Sequence, residues 1–565
     1  MKKSTLALSV AAALGGLGFV SSALAISAIP ANGVGGALNS PAGSVLAVNN
    51  DGIGHQLVFP YFTAQSDNAT LINITNTDLT NGKVVKVRFR GAANSDDLYD
   101  FQLLLSPGDV WTASITKDVA TGLAKLTSAD KSCVVPATAN NATFVTGRTD
   151  PQAADKPNQT REGYIEVLNM ADVPPNTGAA AGVDSLYEAL KHVAGVAPCT
   201  ATVIDAALGN DVAPALAAPL NAAPNAALNV PADLRGLARP TTGLTGDWII
   251  LNQLNTAAWS GAATALQVTN AGVAAPGNIV FWPQKFGTPL LANTPAALTA
   301  AEATADPLFR ENAAVAPVVA IQNYDLPDLS TPYADRAGAA DTNATTRADA
   351  TTSALAVTSL KHQISTNAAI GGVTDVVMSQ PTRRYHVGVN YAATAATANS
   401  YATTGTLASA IYRTGAAPLT ASTYYTVANT GVTGRQVCIN NINAPGVQGV
   451  FDREETSPTV GGTAFVISPN VPTAATVLLI CGEASVVSIN AGGTAAPSGA
   501  LSGTVARSDV TFATGYADGW ATWNLANAGV AAPLVAGYPV LGATFQRARN
   551  GTVNYGFAFT NKVTR

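Results

Sequence analysis

Residues Val84 to Arg90 set the fold class. They alternate strictly, with Val85, Val87 and Phe89 on one face and Lys86, Arg88 and Arg90 on the other. A period of two puts each series on one side of a β-strand. Similar runs recur along the chain. Leu57-Val58-Phe59-Pro60-Tyr61-Phe62 is apolar, and Pro60 lacks a ladder donor, which predicts an edge strand. Ala69 to Thr77 predicts a strand with Ile72 and Ile74 inward. Asp100 to Leu105 and Val110 to Ile115 follow, joined by the turn Ser106-Pro107-Gly108-Asp109. Short strands separated by turns are the rhythm of a β-sandwich. More strands are expected at Tyr164 to Met170, Gly246 to Asn252, Asp375 to Met378, Arg384 to Tyr391, Gln436 to Asn440, Ala464 to Ile467, Thr476 to Cys481 and Ala484 to Ile489. At Thr552 to Thr560, Val553, Tyr555, Phe557 and Phe559 alternate against Asn554, Gly556, Ala558 and Thr560. That pattern fits a closing or contact strand of a sandwich better than a strand of an outer-membrane barrel. One helix is expected from Asp184 or Ser185 through Leu186, Leu190 and Val193 to Gly195.

The expected class is therefore mainly β, with β-sandwich-like domains, a few short helices and long Ala/Pro/Thr-rich loops. Only 12% of the chain is charged, about half the usual share. Low charge weakens the repulsion that keeps copies of a protein apart. Residues 1–25 read as a secretory signal peptide: Lys2 and Lys3, then apolar Leu6 to Val20, then the small residues Ala23-Leu24-Ala25. Residues 26–50 read as a flexible leader, 51–200 as an N-terminal β-sandwich-like domain, 201–370 as an insertion-rich middle region and 371–565 as a C-terminal β domain. Without Lys2 and Lys3 the net charge moves from −5 to about −7. No basic stripe is present, which argues against nucleic acid as a partner.

Four cysteines in an exported chain predict two disulfides. Three pairings are formally open. The local one, Cys133 with Cys199 and Cys438 with Cys481, is favoured, each bond worth roughly 3–5 kcal/mol in the chain-entropy model. No two cysteines have the close spacing of a zinc site. His55, His192, His362 and His386 are scattered, and no G-x-S-x-G, H-E-x-x-H, Walker or G-x-G-x-x-G motif occurs. These features argue against an enzyme. Asp96, Asp97 and Asp100, with Asp109 beyond the next strand, form the densest acidic cluster. They are the candidate calcium ligands, since hard cations take several clustered oxygens; the alternative is a solvated turn. Asp452, Glu454 and Glu455 form a weaker candidate. Trp520 and Trp523 lie close together, on opposite faces if their segment is a strand.

Leu57 to Phe62, Phe101-Gln102-Leu103-Leu104-Leu105-Ser106-Pro107-Gly108-Asp109-Val110-Trp111, Arg161-Glu162-Gly163-Tyr164-Ile165-Glu166 and Thr374-Asp375-Val376-Val377-Met378 together resemble a group of secreted Gram-negative surface-layer proteins. Among them are proteins that sheath the tubular surface extensions called nanopods. The resemblance implies a structural subunit without catalytic residues that assembles with itself into a lattice or tubular sheath. It would sit outside the cell on the outer membrane, held by lipopolysaccharide. The competing reading is a secreted adhesin or glycan-binding surface protein.

Overall fold

The computed structural model describes residues 45–147, 149–150, 152–175, 186–208, 236–277, 344–390, 409–412, 421–442, 450–453, 466–468, 478–491, 499–512 and 517–565. The signal segment lies outside them, as does most of the leader. Val45–Asn49, read from the sequence as leader, is a strand paired antiparallel with Thr264–Asn270.

The chain is mainly β, and its first half is a sandwich of two sheets. One sheet runs in the order Val45–Asn49, Thr264–Asn270, Gln56–Thr63, Glu162–Val173, Gly82–Gly91, Asp97–Leu105, Cys133–Val135. The other runs Ala257–Ala262, Asp247–Asn252, Asn68–Asn76, Val110–Lys117, Ala124–Thr127, Asn141–Thr143. Val85, Val87 and Phe89 of the first meet Ile72, Ile74, Trp111 and Ile115 of the second in one core. Both sheets take strands from residues 244–274, so the sandwich reaches well past residue 200, where the sequence placed its end. Period-two patterning marks a strand and its buried face but does not name its neighbour.

Described strands between residues 359 and 564 form a second sandwich. One sheet runs Val466–Ser468, Arg507–Phe512, Ala484–Ala491, Val373–Ser379, Ala543–Asn550, Val553–Thr560, with Ala484–Ala491 and Arg507–Phe512 parallel. The facing sheet runs Val450–Asp452, Asp518–Asn524, Ser359–Ser365, Lys562–Thr564. Leu360, Ile364 and Trp523 pack on Val376, Met378, Val487 and Ile489 between them. Ser359–Ser365 is interior to its sheet, so this sandwich begins before residue 371. The two halves also share a core: Val377, Ala484, Val486, Leu501 and Phe545 pack with the first sandwich.

Three local expectations change. Gln56–Thr63 is an interior strand rather than an edge. Gly163 pairs with Phe62 and Ile165 with Phe59, so Tyr164 faces both Pro60 and Tyr61. Thr264–Asn270 pairs on the other side only as far as Val58. Pro60 therefore sits in a bulge, where its missing donor breaks no ladder bond. The helix expected as far as Gly195 is only Leu186–Leu190, and the chain then turns through Ala194 and Gly195 at positive φ. The strand expected from Arg384 starts instead at Val387, after a 3₁₀ turn Arg383–Tyr385 whose Arg383 is drawn to Glu483.

Both disulfides form as expected, Cys133–Cys199 and Cys438–Cys481, and no described cysteine is free. Cys438 and Cys481 are direct cross-strand neighbours. The bonds fit an oxidising, extracytoplasmic setting. Among the described residues no helix is long and apolar enough to cross a membrane.

Gly163 is a point of close approach, where a Cβ would lie 1.8 Å from the Arg90 carbonyl oxygen. Gly163→Ala is therefore expected to destabilise the chain by about 2–3 kcal/mol or more, read as a lower denaturation midpoint. An unchanged midpoint would contradict this packing.

Candidate functional site

The cationic face of Gly82–Gly91 is buried, with Lys86 and Arg90 each only 2% exposed. Strand alternation forces both side chains onto the side of the sheet away from the sandwich core, so their charge needs partners there. Lys86 pairs with Asp100, and burial pulls its ammonium below the usual lysine range against the pull of that carboxylate. Arg90 lies 3.6 Å from Asp97 and 3.5 Å from Glu166, and Glu166 also faces Arg384 of the second half at 3.9 Å. Next to them Arg383 is ion-paired with Glu483, whose second oxygen accepts from the Arg384 backbone N–H at 3.1 Å.

Backbone bonds reinforce this junction. The carbonyl of Ala92 accepts from the N–H groups of Glu483 and Ala484, at 2.7 and 3.1 Å. Asn94 donates to the Arg435 carbonyl at 2.9 Å and accepts from Val437 N–H at 3.1 Å. A strap, residues 499–506, is held by two buried carboxylates. Glu162 accepts from Thr504 N–H at 2.7 Å, Val505 N–H at 3.2 Å and the Tyr61 hydroxyl at 3.0 Å. Asp375 accepts from Leu501 N–H at 2.8 Å. Burial raises both carboxyls above their ordinary range, against the hydrogen bonds that favour the charged form. The paired charges and amides of this region join the two halves.

The four aspartates proposed for calcium do not come together, and no group of three or more His, Cys, Asp or Glu side chains suited to a metal occurs among the described residues. Asp96 is buried in the hairpin that docks on the second half. Asp97 and Asp100 face the cations of the neighbouring strand. Asp109 lies past the other end of Asp97–Leu105, a strand rising roughly 3.3 Å per residue. There it accepts from Ser106 N–H and the Ser132 hydroxyl, both at 3.1 Å. The sequence showed acidic density but not the cations it would face. Asp452 ends the strand Val450–Asp452; Glu454 and Glu455 lie outside the described residues.

The histidines lie apart. His55 is buried, accepts from Val268 N–H at 3.2 Å and is pushed down to about 3 by burial. His192 sits 3.1 Å from the Ser106 hydroxyl and 3.5 Å from Asp109. His386 lies between the hydroxyls of Ser422 at 2.8 Å and Thr352 at 2.6 Å. The connectivity is that of a nucleophile and base, but all three side chains are buried and the rings of Tyr424 and Tyr425 pack on the imidazole. Thr352 lies on the helix Ala344–Leu355, so these bonds hold that helix to the second sandwich. His362 stacks on Trp523, ring centroids 5.8 Å apart.

The outward-facing chemistry is aromatic. Val553, Tyr555, Phe557 and Phe559 are between 44% and 48% exposed and share one face of Val553–Thr560 by strand alternation. A tight turn through Gly551, at φ +60°, pairs Asn550 with Val553 and fixes the register with Ala543–Asn550. The opposite face is covered: a Cβ on Gly556 would lie 2.3 Å from the Ala258 carbonyl oxygen. Among the described residues Val553–Thr560 is the last strand of its sheet, and no charged residue occurs between Asn550 and Asn561. A second aromatic group stacks the exposed Trp520 on the half-buried Phe451 at 4.4 Å. Trp523 points into the core, on the opposite face as expected. The alternation made the Val553–Phe559 series visible in the sequence, whereas Phe451 and the junction of Arg383, Arg384 and Glu483 gave no comparable signal.

Two outcomes are expected. Glu166→Gln leaves Arg90 and Arg384 facing one another without their shared anion, which should cost about 3 kcal/mol in chemical denaturation; a loss below half that would mean other groups carry the pairing. Burial holds His362 at about 4, below its ordinary 6.5, so the unfolded chain takes up a proton that the folded chain refuses. The stability this confers is present above pH 6.5 and is lost as pH falls toward 4, about 3 kcal/mol in all. His362→Phe should keep the stack on Trp523 and remove that part of the acid sensitivity. Parallel stability–pH curves for the two proteins would refute it.

Comparison of the chain with protein-family models, with curated proteins and with solved structures finds no match.

Proposed function

We propose that this chain is a secreted structural subunit that self-associates into a two-dimensional lattice or tubular sheath on the outer membrane of a Gram-negative cell, attached through lipopolysaccharide. The observation that carries the reading is the uncharged stripe Val553, Tyr555, Phe557 and Phe559, exposed on the edge strand of a sheet. An open apolar edge is a template for another chain, and a contiguous apolar surface marks a binding site. The scaffold behind it supports this use, because the stripe is backed by a packed strand and by two sandwiches that share a core. Many weak contacts repeated over a layer give large total avidity.

The exposed Trp520, stacked on Phe451, favours the second reading, an adhesin or glycan-binding surface protein, since an exposed ring suits the apolar face of a sugar. The two readings separate experimentally. Phe557→Asp should weaken self-association at least tenfold, about 1.4 kcal/mol, while leaving the melting temperature nearly unchanged because Phe557 is half exposed. Sedimentation and electron microscopy of the purified chain read the first effect, and calorimetry the second. A chain that stays monomeric at high concentration, together with glycan binding lost in Trp520→Ala, would replace the surface-layer reading with the adhesin.

A further inference from the structure

Resting on that reading, we infer that the stripe's partner is the same strand of a second copy, paired edge to edge and antiparallel about a two-fold axis through Gly556. The argument begins with parity. Two identical strands related by a two-fold axis perpendicular to their sheet keep the same face outward, so a stripe residue must lie opposite a stripe residue. That condition requires the axis to pass through a residue. An axis at Tyr555 would leave Phe559 opposite Gly551 of the turn, and one at Phe557 would leave Val553 opposite Asn561, past the end of the strand. Only the axis at Gly556 pairs all four stripe positions with one another: Val553 opposite Phe559, and Tyr555 opposite Phe557, each twice.

Aromatic and β-branched pairs of this kind are the favourable cross-strand combinations. The absence of charge between Asn550 and Asn561 removes the like-charge repulsion that normally protects an edge strand from its own copy. At the axis the Cβ direction of Gly556 points away from the stripe, toward Ala258, so no side chain of the axial residue enters the stripe. The two six-stranded sheets would then run on as one. This contact is isologous and closes on a dimer, so a layer needs a second, different contact to extend the dimer.

The test uses single introduced cysteines. The four native cysteines are tied in two disulfides, so an added thiol is the reactive one, and each of the four stripe positions is half exposed. Directly opposite residues lie about 4.5–5.5 Å apart between Cα atoms, within disulfide range. Residue 555 and its own symmetry copy lie two residues out of step, beyond about 7 Å. Tyr555→Cys and Phe557→Cys chains, mixed under mild oxidation, are therefore expected to give a covalent dimer that neither gives alone. Val553→Cys with Phe559→Cys should behave the same way, which guards against loss of one aromatic contact. A dimer from Phe557→Cys alone, or from Tyr555→Cys alone, would overturn this register. Absence of cross-linking in both mixtures, with wild-type chains still assembling, would overturn the edge pairing and leave the surface-layer reading standing on another contact. Wild-type chains that never associate would overturn both.

Discussion

Glu166 between Arg90 and Arg384 is the interaction on which the rest of the molecule depends. Strand Gly82–Gly91 has its apolar series in the sandwich core, so its cations are fixed on the outer side of the sheet before anything covers them. Covering that side removes water from Lys86 and Arg90, and this is tolerable only because Asp100, Asp97 and Glu166 already stand opposite. Arg384 then adds a second cation to Glu166 from the other half. Ion pairs of this sort contribute little net stability compared with apolar packing, but an unpaired member is costly. They therefore act mainly on geometry: of the ways two sandwiches could meet, they penalise those that leave a charge alone.

This arrangement also bears on the surface. A chain with so few charges places many of them inside, at Lys83, Lys86, Arg88, Arg90, Glu162, Glu166, Asp172, Arg383, Arg384 and Glu483. The chain as a whole is only 12% charged. Weak repulsion between copies, together with an uncharged aromatic edge, makes association the physically favoured outcome for the proposed subunit.

Local features were legible in the sequence and long-range ones were not. The Val84–Arg90 alternation named a strand and its two faces, but what covers the polar face is decided by residues nearly three hundred positions away. Pro60 was misread because the bulge that accommodates it shows only in the register of its own strand against Glu162–Val173, about a hundred residues away. The paired cysteines were legible because each bond closes a local loop. The acidic cluster was misread because Asp97 and Asp100 have the same sequence signature whether they face a metal ion or Arg90 and Lys86. The series Val553 to Phe559 was plain as a strand. Its exposure followed only from its place at the end of the sheet and from Ala258 occupying the opposite face.

The stretch that follows this strand has a mechanical consequence. Val553–Thr560 belongs to one sheet of the second sandwich, and Lys562–Thr564 to the other. Asn561 joins them, donating to the Val377 carbonyl at 3.1 Å and accepting from the Thr544 hydroxyl at 2.7 Å, while Arg565 donates to the Ala354 carbonyl at 2.6 Å. A pull applied along the terminal strand is thus divided between both sheets. It loads their interstrand hydrogen bonds in shear, where many must break together, rather than peeling them one after another. In the proposed coat, bent over a curved membrane, the crossover at Asn561 would let tension spread through both sheets before the edge strand detached.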